Sequence, residues 1–121
     1  MRDERKNLGH RGETAAISFV QTKGFTILET NYRTKIAEID IIAKDKDCIC
    51  FIEVKTRRSI KKGLPKESIT YSKQKKIILG ATFYLKEKNQ MNSKVRFDVI
   101  EVLENKGSFA INLIKNAFQA Y

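Results

Sequence analysis

The chain has no tryptophan, one proline, one histidine and two cysteines in 121 residues. Each scarcity excludes something. One His and two Cys are too few for a Cys/His zinc site. Cys48 and Cys50 stand two apart in an apolar stretch. In a strand they point to the same face and are poorly placed to bridge each other. Buried free thiols fit a reducing cytoplasm, the expected location. Long hydrophobic runs are also missing. The longest is the five residues from Cys48 to Ile52, against about 20 for a membrane-spanning helix. Met1 to Lys6 is mostly charged and leads into no apolar stretch, so no signal peptide is expected. Repeats, low-complexity segments and linkers are absent. The length suits a single domain over residues 1–121.

Acidic residues are outnumbered. Twenty-four Lys and Arg face fourteen Asp and Glu, a net charge of +10. An apolar fraction of 41% is enough for one core, and the excess positive charge points to a polyanion as partner. The charge is uneven. Between Lys55 and Lys76 stand nine basic residues, Lys55, Arg57, Arg58, Lys61, Lys62, Lys66, Lys73, Lys75 and Lys76, against the single acid Glu67. That stretch holds eight of the ten excess charges and reads as a phosphate-contacting segment. A solubilising loop is its plainer reading.

Periodicity sets the order of elements. Gly12, Ala15, Ala16, Phe19 and Val20 form one helix face, which Gly24 ends. Phe25–Tyr32, Ala37–Lys44 and Cys48–Thr56 read as strands. Gln74, Ile77, Ile78, Ala81, Tyr84 and Leu85 mark a second helix. Val95–Leu103 and Phe109–Ile114 are two further strands about a turn at Asn105–Ser108. The order is α-β-β-β-α-β-β, and the fold class is α/β, a mixed sheet flanked by helices.

The middle hairpin carries the chemistry. A turn at Asp45-Lys46-Asp47 sets a register in which paired numbers sum to 93. Asp40 then lies opposite Glu53, and Glu38 opposite Lys55, on one face. Ile39, Ile41, Ala43, Cys50, Ile52 and Val54 take the other. Two facing carboxylates repel unless a cation lies between them. Mg²⁺ or Mn²⁺ suits such a pair with water and a phosphate, and a lysine beside it can orient or deprotonate water. As a bare motif, alternating charge is more often a solvated strand face. The apolar neighbours of Asp40 and Glu53, and the basic stretch that follows, shift the balance toward a site.

Asp40, a twelve-residue spacer and Glu53-Val54-Lys55 resemble the PD-(D/E)xK nuclease signature. More narrowly, the chain resembles the YraN family (UPF0102). The resemblance rests on Gly12-Glu13 with Ala16, Gly24-Phe25, Asn31-Tyr32-Arg33, the stretches Glu38 to Ala43 and Phe51 to Arg57, the helix around Lys73 to Leu85, and Arg96-Phe97-Asp98-Val99. It departs at Ala37, where the family usually has Gly. The wider family is similar to archaeal Holliday junction resolvases. The resemblance therefore implies a restriction-endonuclease-like core and a Mg²⁺- or Mn²⁺-dependent endonuclease acting on DNA, branched DNA included. Asp40 and Glu53 would hold the metal with the Val54 carbonyl, and Lys55 would assist the water. Glu13 and Gln74 are further catalytic candidates, with a helix-dipole contact and a boundary glutamine as their plainer readings. Glu38 would position Lys55. Arg57, Arg58, Lys61, Lys62, Lys66, Lys73 and Lys76 would contact nucleic acid. DNA is favoured over RNA, since no aromatic RNA-binding signature is present. Resolvase-like relatives act as dimers, so a homodimer fits the resemblance. The competing function is a binding module that keeps the nuclease fold without turnover. Arg96 and Asp98 share a strand face and read as an internal ion pair.

Overall fold

The computed structural model describes residues 4–58 and 69–120. The elements follow the order read from periodicity: α1 (Glu4–Thr22), β1 (Thr26–Arg33), β2 (Glu38–Asp45), β3 (Cys48–Arg57), α2 (Tyr71–Glu87), β4 (Lys94–Asn105) and β5 (Ser108–Phe118). The five strands form one mixed sheet in sequential order. All neighbours are antiparallel except β3 and β4, which run parallel with α2 as their crossover. Among the described residues no helix is long and apolar enough to cross a membrane.

The helices cover opposite faces of the sheet. Leu8, Gly12, Ala16 and Val20 recur every fourth residue, so α1 buries one narrow stripe. Ala16 and Val20 pack with Ile41, Ala43, Cys50, Ile52, Val54, Ile100 and Val102. Gly12 lets the helix close on β3: a Cβ there would collide with Thr56 Oγ1 and stand 2.9 Å from Thr56 Cβ. The left-handed φ of +93° at Gly24 turns the chain out of α1. On the second face, Ile77, Ala81, Tyr84 and Leu85 of α2 pack with Ile39, Ile42, Ile49, Phe51 and Phe97. Thr70 caps α2, its Oγ1 accepting from the Lys73 N–H at 3.1 Å.

The hairpin register is the expected one. Asp45 pairs with Cys48 about the two residues Lys46 and Asp47, and pairing runs up to Ile41 and Ile52. Lys46 takes the turn with φ +58°. Two expectations change at the open end of this hairpin. Ile39 does not join the α1 face. It packs against α2, where a Cβ on Gly80 would come within 3.3 Å of it. The β2–β3 ladder stops at Ile41, so strict alternation no longer governs the residues beyond it. Glu38, expected to pair with Lys55, instead pairs with Arg33 at 3.4 Å on the exposed side of β2, directly across the β1–β2 ladder.

Both cysteines are free, Cys50 buried and Cys48 half-buried. Burial, with the Asp98 charge next, pushes the Cys50 thiol up to about 12, so it stays protonated and inert at neutral pH. The expected Arg96–Asp98 pair forms, at 2.8 Å.

Candidate active site

Where the β2–β3 ladder ends, a carboxylate takes the place of a backbone partner. Asp40 Oδ2 accepts the Val54 N–H at 2.8 Å. This draws the Asp40 carboxyl in beside β3, onto Glu53, whose side chain is only 4% exposed. The two acids face each other as the register implied. Burial lifts the Asp40 carboxyl to about 8, with the Glu53 charge as the next cause. The Val54 N–H pulls the other way, and Glu13 and a hydrogen bond with Glu53 add to the rise. At neutral pH the Asp40 carboxyl is thus largely protonated when no cation is bound.

Two lysines lean on the pair. Lys55 Nζ is 3.8 Å from Glu53 Oε2, and Lys73 Nζ, reaching down from the first turn of α2, is 2.6 Å from the same oxygen. They titrate in opposite directions. Burial, then the neighbouring Lys73 ammonium, holds Lys55 below its ordinary range. Burial works against the charge on Lys73 too, but its hydrogen bond to Glu53 and that carboxylate's charge keep it above.

These groups open on a pocket of about 300 Å³ between the ends of β2 and β3 and the start of α2. Glu38, Asp40, Glu53, Lys73 and Lys76 line it, with Thr70 and Ser72 of the α2 amino end. Helix amino ends favour anions, so the pocket roof is positive and its floor acidic. Glu13, from α1, lies close enough to this floor for Glu38 and Glu53 to act on it. Burial first, then the Glu38 charge, raises its carboxyl, while His10 lowers it. The structure therefore gathers Asp40, Glu53, Lys55, Lys73 and Lys76, with Glu38 on the rim and Glu13 within electrostatic reach.

Gln74 is not part of this group. Its Nε2 donates to the Ile69 carbonyl at 3.2 Å, and it lines a separate hollow with Val99, Ile114 and Phe118. A helix turns about 100° per residue. Lys73 rather than Gln74 therefore faces the acids. The periodic stripe through Gln74 and Ile77 marked the buried side of α2, whereas Lys73 sits on its flank. Arg58 pairs with the buried Glu104 at 3.6 Å, beside an Arg11–Glu104 bond of 2.9 Å. Lys61, Lys62 and Lys66 lie outside the described residues. Glu101, 9% exposed, was not foreseen. It stands beside Lys55 in the parallel β3–β4 register and accepts from Asn112 at 3.3 Å. No spacing motif ties β4 to the hairpin, so sequence carried no signal for it. Among the described residues, no three His, Cys, Asp or Glu side chains stand close enough to hold a metal together.

The fold and pocket define an α/β domain with an acid pair set under lysines at one end of a mixed sheet. The model of the family described as "Uncharacterised protein family UPF0102" matches residues 12–102. The chain belongs to that family. Similar relatives include a UPF0102 protein of Desulforapulum autotrophicum, 48% identical over 119 residues, which covers 98% of both chains. One from Clostridium botulinum is 50% identical over 117 residues, 94% of this chain and 95% of its own. Another, from Desulfosudis oleivorans, is 47% identical over 120 residues, 99% of this chain and 96% of its own.

Proposed function

We propose that the protein is a divalent-metal-dependent endonuclease that hydrolyses DNA phosphodiester bonds, with branched DNA among its substrates and a homodimer as its working form. The observation that carries this reading is the Asp40–Glu53 pair. Asp40 is held high by burial and by its acidic neighbour, and Glu53 is buried beneath lysines. Such a pair costs stability unless a cation or proton lies between the acids.

The donors fit Mg²⁺ or Mn²⁺: two carboxylates, with remaining positions open to water and phosphate oxygens. The Val54 carbonyl is a third donor. In a strand the N–H and C=O of one residue point to the same side, and the Val54 N–H points at Asp40. A divalent cation held by Asp40 and Glu53 would polarise a phosphoryl oxygen and offset charge on the leaving oxygen. The chain's own groups do the rest. Lys55, with its lowered proton affinity, orients the attacking water and accepts its proton. The water oxygen bonds to phosphorus as the bond to the leaving oxygen breaks, and that oxygen takes up a proton from solvent water. Lys73, Lys76 and the α2 amino end bind the phosphate from above. By charge alone, Arg57, Arg58, Lys61, Lys62 and Lys66 would add phosphate contacts.

The test is a panel of duplex, flap, single-stranded and four-way DNA incubated with Mn²⁺, comparing wild type with Glu53→Ala. Cleavage of at least one substrate, lost in Glu53→Ala, is expected. No cleavage together with no metal binding by calorimetry would overturn the reading. A second reading, a DNA-binding module without turnover, is favoured by one observation: no three ligating side chains cluster among the described residues. It predicts salt-sensitive DNA binding that Asp40→Ala leaves intact or strengthens.

A further inference from the structure

Of the two lysines on Glu53, the nearer is not the one in the Glu-x-Lys motif. Lys73 Nζ stands 2.6 Å from Glu53 Oε2, against 3.8 Å for Lys55. The two are mounted differently. Lys55 rises from a central strand and its side chain is 26% exposed. Lys73 hangs from the first turn of α2 and is 42% exposed, with room to move. Its backbone is fixed by the Thr70 cap, so only the side chain need swing. The oxygen that Lys73 contacts belongs to a carboxylate expected to hold the metal. An ammonium and a divalent cation cannot both occupy that contact.

We propose that Lys73 is a counter-ion latch, resting on Glu53 in the metal-free protein and displaced by the incoming cation to bind the DNA phosphate at the same pocket. This inference rests on the metal-dependent reading above. It gives Lys73 two successive partners of one charge sign, a carboxylate and then a phosphate, within one pocket that also holds Lys76, Thr70 and Ser72. The acid pair is never without a cation, and the phosphate meets its lysine only after the metal has arrived. Lys73 is a positioning and binding residue; the proton transfer stays with Lys55.

The test measures Mn²⁺ affinity by calorimetry for wild type, Lys73→Met and Lys73→Arg, without DNA. Removal of a competing charged hydrogen bond should tighten Mn²⁺ binding roughly tenfold in Lys73→Met, while Lys73→Arg should stay near wild type. DNA binding is then followed against salt, with Ca²⁺ and without any divalent cation. Loss of one phosphate contact should lower the salt slope by about one in Lys73→Met when Ca²⁺ is present, and leave it unchanged without Ca²⁺. Equal Mn²⁺ affinity in wild type and Lys73→Met would retire the latch and leave the metal site standing. Mn²⁺ binding by neither protein would retire both ideas. Where Lys73→Met fails to fold, Lys73→Gln, which removes the charge but keeps an N–H donor, takes its place with the same expected direction.

Discussion

Two aspartates on one sheet, Asp98 fully buried and Asp40 half-buried, have opposite fates. Asp98, fully buried on β4, is answered on every side. Arg96 grips both its oxygens at 2.8 and 2.9 Å, and the Asn116 N–H donates at 2.9 Å. Arg96 also reaches Asp45 at 3.0 Å, where Lys115 joins at 3.5 Å. Asp40 has one backbone donor and faces another acid. The first arrangement closes the charge account within the chain. The second gives Asp40 itself no basic partner at hydrogen-bond distance among the described residues, the lysines standing on Glu53 instead, and acids left this way are candidates for function.

Four substitutions and one titration would break or sharpen the contrast. Glu53→Ala should cost the largest effect, at least about a hundredfold in Mn²⁺-dependent cleavage rate, with circular dichroism unchanged. Arg96→Ala should leave the buried Asp98 charge without its cation and with only the Asn116 N–H as donor, at a cost of about 3–5 kcal/mol in urea unfolding, whereas DNA affinity should not move. If Arg96→Ala proves mild, the supposed closure around Asp98 is mistaken. Gly12→Ala drives a methyl into Thr56, including its immobile Cβ, and should cost about 1–3 kcal/mol in the same assay.

The titration concerns Asp40. Its carboxyl is raised from 3.8 to about 8 on folding. Between those values the folded chain binds the extra proton, so metal-free stability should fall as pH rises from 4 to 8. Melting temperature measured across that range should show the decline in wild type and a flatter profile in Asp40→Asn. Glu38→Gln is the smallest effect. It removes an exposed pair with Arg33 and should change stability by less than about 0.5 kcal/mol.

The legible part of this molecule is the part that strict periods govern. The alternation of Ile41 to Asp45 against Cys48 to Ile52 settled register, turn and the meeting of two acids, all as observed. The helix stripe of Ala16 and Val20 named the α1 core. Legibility stopped where regular pairing stopped. Ile39 lies past the last ladder pair, so a parity argument put it on the wrong face. Glu38 sits there too, and its partner came from β1 rather than β3. On α2 the stripe marked what is buried, which favoured Gln74. Lys73 is drawn in by a charge on another element, and no hydropathy pattern encodes that. Glu101 came to Lys55 through parallel pairing across the α2 crossover, a long-range contact beyond local reading.

The bond between the Val54 N–H and Asp40 has a practical consequence. Nearly every amide in the central strands is tied to another backbone and senses little beyond the sheet. The Val54 proton is tied to a pocket carboxyl whose proton affinity is raised in the fold. Its nitrogen–proton resonance should act as a built-in indicator, shifting once with acid and again with cation, and reading the state of the pocket in a protein that is cutting nothing.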